Sequence, residues 1–437
     1  MKERTRRDIR RDFFWNMAGS LIYALSSMVL AFFVMRLEGA EEGGIFGFGF
    51  STFGQQMFII AYFGIRPFHI TDVRREFSFG EYRRLRLLSS GLAVLCAVAY
   101  LAVLLAGGVY TGHKAAAILL LAGYKICDGY GDVYESEFQR DGKLYLSGQL
   151  LTFRTLICVG VFMASLAGTH DLLCAALAAL VLQLVFLLFY RICAGRSFLS
   201  GALEGQIDRT IRKDAVMLLI RRTVLLFVSV FLDFYVFSAA KYAVDLCLTD
   251  ADNGIFNILF MPTSVIYLVA NFIIRPFMTY LADAYEKRDF ASFTKTMFKL
   301  QNLIILLTAA AYVLAFLLGG IVLGIGETVL GEAYTGRLTP YQNAFSNIIF
   351  GGGIYAMANL YYYVLVILRR QKQVFYVYAA AAAAALVLSR LLVSGYGLYG
   401  AAICYEILMA LLCAGFFVLG NRCIRKEASQ GGQQDAD

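Results

Sequence analysis

Nine basic residues stand within, or at the ends of, long apolar stretches: Arg66, Lys125, Arg154, Arg221, Arg222, Lys241, Arg275, Lys299 and Arg390. A cation surrounded by hydrocarbon is costly unless it faces water or an anion, so each is a candidate for binding chemistry. Position separates them. Arg221, Arg222 and Lys299 lie at stretch ends, where a long side chain snorkels to the interface, and Lys241 is expected to do so on the opposite side. Arg66 and Arg275 each precede a proline. Proline frees carbonyls and bends the chain, which suits residues lining a cleft; the alternative is capping and snorkelling at the interface. Arg154 and Arg390 lie about five and sixteen residues into their stretches, too deep for easy snorkelling at ~1.5 Å per residue. They either line a cavity or form an internal ion pair. A guanidinium fork matches phosphate oxygens and stays charged. Arg66, Arg275, Arg154 and Arg390, with Lys125, are therefore the candidate binders of an anionic substrate.

Acids form a second set. Lys125, Asp128, Asp132 and Glu135 recur at helical spacing on one face, with Lys125 and Asp128 close enough to pair. Such a stripe cannot face lipid. It is either a polar face near the cytoplasmic exit or part of a cavity lining. Asp233 falls near the middle of one apolar stretch and Glu406 early in another. An ion pair of Arg390 with Asp233 or Glu406, opened by protonation, would couple a proton to motion. The nine cysteines show no CxxC, and the three histidines (His69, His113, His170) are isolated in sequence, which favours packing over metal or redox chemistry. No metal and no cofactor other than a coupling ion is expected.

The elements that must carry these residues follow from composition. Of 437 residues, 59% are hydrophobic and 16% charged, with four prolines. Apolar runs fill nearly the whole chain, and the polar stretches between them are too short to fold alone. That excludes a soluble catalytic domain and a nucleic-acid module. The basic amino terminus precedes an apolar run too long for a signal peptide and without a small-residue cleavage pattern, so it reads as a retained first helix. Twelve membrane-spanning helices are expected, over 13–35, 45–67, 87–106, 115–138, 149–168, 171–190, 223–245, 254–280, 299–320, 343–368, 374–394 and 400–421. The fold class is thus all-α and polytopic. Loop cations number 27 on the side of the termini against three (Arg36, Lys114, Arg337) on the other, placing both termini in the cytoplasm.

A repeat divides the chain. Ile9-Arg10-Arg11, Gly44-Ile45-Phe46 and Ile65-Arg66-Pro67-Phe68 return in order as Ile220-Arg221-Arg222, Gly254-Ile255-Phe256 and Ile274-Arg275-Pro276-Phe277. A repeat of six helices enters the membrane twice in the same direction. The expected organisation is two parallel six-helix lobes around a central cavity, 1–190 and 223–437, joined by a cytoplasmic linker over 191–222.

At these landmarks the chain resembles a known family. Asn16, Gly19, the loop 36–43, the Gly64-Ile65-Arg66 end of helix two, Arg275-Pro276, Leu368-Arg369-Arg370-Gln371-Lys372 and Tyr396-Gly397-Leu398-Tyr399-Gly400-Ala401-Ala402 together resemble Wzx-type polysaccharide flippases. MATE exporters and lipid II flippases of the MOP superfamily share that architecture. The resemblance implies a transporter that alternates access and moves undecaprenyl-diphosphate-linked oligosaccharide across a bacterial cytoplasmic membrane for surface polysaccharide synthesis. Glycosyltransferases and a polysaccharide polymerase are then the expected partners, besides membrane lipids; nucleic acid is not. Lipid II flippases hold sodium on helices seven, eleven and twelve. Asp233 and Glu406 sit on the first and last of these, which makes them the candidates for coupling to protons or sodium, although helix eleven offers no acid. No G-x-x-x-x-G-K motif exists for ATP. Two other readings stay open: an ion-coupled drug exporter with an aromatic cavity, and a membrane glycosyltransferase or polymerase using Asp250-Ala251-Asp252. The short outer loops speak against the enzyme.

Overall fold

The computed structural model describes residues 6–72, 74–193 and 211–434, and its elements are all helical among these. In chain order they are α1 (Arg6–Phe46), a π-helical segment (Gly47–Phe53), α2 (Gly54–Tyr62), α3 (Arg66–Thr71), α4 (Phe79–Ala106), α5 (Gly112–Arg140), α6 (Leu144–Thr169) and α7 (Leu172–Cys193). The second half holds α8 (Lys213–Cys247), α9 (Asp250–Glu286), α10 (Phe290–Leu330), α11 (Gln342–Ile367) and α12 (Gln371–Gln434). Nine stretches among the described residues are long and apolar enough to cross a membrane. Two of them, of 62 and 57 residues, are long enough for two crossings each. They are broken at Gly39 and Gly397, whose backbones are not helical. The charged α5, 29 residues long, is long enough for one further crossing. The protein is a polytopic helical membrane protein, and its described helices are long enough in sum for the twelve expected crossings. Its outer surface agrees, with Val103, Leu95 and Leu317 each about two-thirds exposed or more (71%, 69% and 66%). Apolar side chains standing out this far need lipid rather than water around them.

The repeat is visible in how helices start and stop. The first half restarts its second helix at Gly39; the equivalent position in the second half is Thr249, which caps α9 in a reciprocal box with Asp252. At the repeated proline the halves diverge. Phe63 and Gly64 both take positive φ, ending α2, and Pro67 then opens the short α3. In α9 the counterpart of Gly64 is Ile273, a β-branched residue for which the left-handed conformation is costly, and the helix runs on through Pro276.

The chain divides into two compact units, Met1–Phe231 and Leu232–Asp437. The boundary falls inside α8, later than the expected linker, of which 194–210 lies outside the described residues. In the first unit, α5 packs against α2, α4, α6 and α7. An apolar cluster including Phe63, Phe77, Phe79, Tyr134, Phe138 and Leu219 closes one end of it. In the second unit α11 is central, packing on α9, α10 and α12. A Cβ on Gly353 would overlap the Thr308 side chain of α10, so α10 and α11 approach more closely than side chains would allow.

Candidate functional site

The first unit gathers its charges on α5. Thr111 starts that helix, its side chain accepting from the Lys114 backbone N–H at 3.2 Å. One face then carries Lys125, Asp128, Asp132 and Glu135, all buried. Four neighbouring segments supply partners. From α1, the Tyr23 hydroxyl donates to Asp128 at 2.6 Å and accepts from Lys125 at 3.2 Å. From α6, Arg154 meets Asp128 at 2.5 Å and Glu135 at 3.2 Å. From α3, Arg66 pairs with Asp132, donates to Gln139 at 2.9 Å and lies 3.9 Å from Glu135. From α4, Arg86 reaches Asp132 at 2.5 Å and also donates to the Tyr62 carbonyl.

Sequence reasoning brought together the right face of α5 but not its connections. Lys125 and Asp128 share Tyr23 instead of pairing directly. Arg154 is an internal ion pair, the second of its two expected alternatives. Arg66, with its side chain 26% exposed, is the most open member and is already held by acids. Arg86, one residue ahead of the expected span 87–106, is fully buried. The missed signal is Ser78-x-x-Glu81: it forms a capping box that starts α4 at Phe79, eight residues before the expected start, and so draws Arg86 inside. His69, isolated in sequence, meets Glu137 at 2.7 Å, and Glu137 also holds Arg140 at 2.6 Å. The other two histidines pair likewise, His113 with Glu42 and His170 with Glu38. No group of three metal-ligating side chains occurs among the described residues.

The second unit is built differently. Asp233 on α8 accepts from the Tyr355 hydroxyl of α11, with both carboxylate oxygens at 3.0 Å. Tyr378 on α12 and Tyr362 on α11 lie close enough to feel its charge. Tyr267 of α9 stacks on Tyr355 at 5.9 Å between ring centres, and Phe237 packs there at 5.1 Å. Asp233 thus lies in an aromatic recess, with no cation paired to it among the described residues. The expected pair with Arg390 is absent there: Arg390 is exposed. Glu406 is half-buried, one residue beyond the buried Tyr405. The side chain of Arg275 lies outside the described residues. Asp250-Ala251-Asp252, a conceivable metal-binding spacing, is the first turn of α9, where Asp252 closes the capping box with Thr249.

Lys241 departs from expectation. Instead of snorkelling it is 8% exposed, its Nζ 4.3 Å from the centre of the Phe260 ring. Arg86, Lys125 and Arg154 each reach an oxygen; Lys241 has no hydrogen-bond or ion-pair partner among the described residues. A buried charge costs several kcal/mol. A ring face returns about 0.5–2 kcal/mol, so the two do not balance.

No family model and no protein of established function matches the sequence itself. Solved structures do match in fold. A multidrug resistance MATE family transporter of the MOP superfamily in its inward-facing conformation aligns with a TM-score of 0.72 at 11% identity, covering 95% of this chain and 99% of that one. The MATE multidrug transporter DinF-BH in complex with R6G aligns at 0.67 and 15% identity, covering 96% of each chain. An outward-facing MATE family transporter aligns at 0.59 and 13%, covering 97% of this chain and 96% of the other. Full-length coverage in both directions means that the chain has the fold of MATE transporters of the MOP superfamily.

Proposed function

We propose that the protein is a gradient-driven transporter working by alternating access, with Asp233 as its coupling carboxylate. The observation that carries this is a mid-helix acid held by a tyrosine hydroxyl rather than by a cation. Such a carboxylate can exchange a proton or sodium ion without first breaking an ion pair. Glu406, half-buried on α12, is the second coupling candidate. The MATE fold supports transport, and the absence of an ATP-binding motif in the sequence supports a gradient as the energy source.

The substrate we assign is a lipid-linked, diphosphate-bearing oligosaccharide moved across a bacterial cytoplasmic membrane, with glycosyltransferases upstream and a polymerase downstream. The sequence resemblance to Wzx-type flippases supports it, as does the supply of guanidinium groups. Arg66 would hand over from Asp132 to phosphate, with Arg275 and Arg390 as its counterparts in the second half. Arg154 and Lys125 would act from within the ion network. A second reading has its own observation: an acid lined by Tyr267, Tyr355, Tyr362 and Tyr378 also suits an organic cation, as an exporter would carry.

Reconstituted vesicles separate the two. Flipping of a fluorescent prenyl-diphosphate oligosaccharide, scored by loss of protection from an impermeant reductant, is the expected result. Gradient-dependent movement of a fluorescent organic cation with no flipping would select the exporter. Arg66→Ala should lower flipping per inserted molecule about ten- to hundredfold, the worth of one charge-assisted contact. Arg66→Lys should restore only part of it, because an ammonium does not reproduce the planar fork.

A further inference from the structure

Lys241 of α8 shares the Phe260 ring with a second unsatisfied donor. Tyr405 of α12 stands edge-on to that ring, with ring centres 4.7 Å apart, and its hydroxyl is buried with no hydrogen-bond partner among the described residues. The α8–α9 hairpin adds a third group. Asn253 donates to Asp245 at 3.1 Å, and two turns deeper Phe237 packs on Phe260 at 5.3 Å. That antiparallel register sets Lys241 opposite Asn257. The Asn257 Nδ2 is spent on Asn253, and its Oδ1 is buried without a partner among the described residues. Two donors and one acceptor, each without a hydrogen-bond partner among the described residues, therefore stand on three helices of the second unit grouped about Phe260.

We propose that this is a binding site for a lipid phosphate bearing a hydroxylated headgroup. Phosphate oxygens accept from the Lys241 ammonium and the Tyr405 hydroxyl, and a headgroup hydroxyl donates to Asn257. The Tyr405 hydroxyl and the Asn257 oxygen, buried and unsatisfied, are a standing cost in the free protein, and this ligand removes it while pairing the Lys241 ammonium. Lysine fits a ligand in transit, since a point charge tolerates changing angles of approach that a bidentate fork does not. Depth agrees as well. Lys241 lies six residues before the end of α8 at Cys247, roughly 9 Å at ~1.5 Å per residue, and about two turns from Asp233. Phosphates of a bilayer lie towards helix ends. Tyr405 also packs on Phe237, with ring centres 5.6 Å apart, and Phe237 packs on Tyr355, so the site borders the recess that holds Asp233.

A sugar-bearing prenyl diphosphate and an ordinary glycerol-headed phospholipid share this chemistry; the former assignment rests on the substrate proposed above. The test uses the full chain in phosphatidylcholine nanodiscs, with a fluorescent short-chain prenyl-diphosphate sugar as probe. Lys241→Gln should weaken probe binding about ten- to hundredfold, and Tyr405→Phe about threefold, while the probe-free melting temperature stays at or above the native value because each change removes an unsatisfied group. Lys241→Arg should bind within about threefold of the native protein, which separates lost charge from lost folding. Replacing part of the phosphatidylcholine by phosphatidylglycerol distinguishes the sources. Competition that disappears in Lys241→Gln assigns the site to bulk lipid headgroups, and no competition assigns it to the prenyl-linked substrate. Equal probe affinity of native and Lys241→Gln proteins would overturn the site while leaving vesicle flipping, scored separately, to judge the transporter reading. No binding of either phosphate by the native protein would overturn the site too.

Discussion

At the scale of single residues, the two units treat charge in opposite ways. In the first, Arg66, Arg86 and Arg154 neutralise Asp128, Asp132 and Glu135 within one buried network. Removing one partner of such a pair leaves a bare charge in low dielectric, at a cost of about 3–5 kcal/mol. Arg154→Met should accordingly reduce the yield of monodisperse protein and its melting temperature, and adding Asp128→Asn should recover part of both. Size-exclusion profiles of the single and double variants check this; independent, additive losses would mean that the pair is not energetically coupled. In the second unit Asp233 has a tyrosine where the first unit has arginines. Asp233→Asn should therefore leave folding and substrate binding nearly unchanged while removing the dependence of flux on an imposed proton or sodium gradient. Flux measured in vesicles at two gradient strengths decides it, and an undiminished gradient response would make Asp233 a packing residue.

At the scale of elements, glycine placement sets which helices break and which touch. Gly353 is where α11 meets Thr308 of α10, whereas a Cβ on Gly395 of α12 would meet nothing within 4 Å. Gly353→Ala should destabilise by about 1–3 kcal/mol through overpacking. Gly395→Ala should be neutral or stabilising by up to ~1 kcal/mol, since it only restricts the unfolded chain. Thermal unfolding in one detergent, side by side, tests the contrast; equal shifts would mean that α10 and α11 can separate without cost. The same reasoning explains the divergence at the repeated Arg-Pro. Both copies carry the proline, but only the first has Gly64 before it to take a positive φ, so only the first helix ends there.

At the scale of the molecule, orientation is testable with native side chains. Cys174 and Cys247 are exposed, at the opposite helix ends from the expected cytoplasmic termini. An impermeant maleimide should modify both from outside intact cells. Cysteines introduced in 1–12, 191–215 or 422–437 should react only after permeabilisation. Outside labelling of the 191–215 segment would invert the topology and reassign every loop with it.

Composition and periodicity alone determined that the chain crosses a membrane about twelve times as helices, that it is an internal repeat, and that one face of α5 is charged. These follow from local rules, because hydrocarbon thickness sets the length of an apolar run and helical spacing sets which residues share a face. Helix ends were less legible. The Ser78–Glu81 box starts α4 eight residues ahead of its apolar run and takes Arg86 into the helix, a boundary that hydropathy does not register. What only the tertiary structure decided is pairing. That Arg154 meets Asp128, that Asp233 meets Tyr355 and not Arg390, and that Lys241 meets a ring instead of water depend on contacts between helices far apart in sequence. Within a bilayer such contacts come from close packing between apolar helices, for which a single sequence carries no periodic signal.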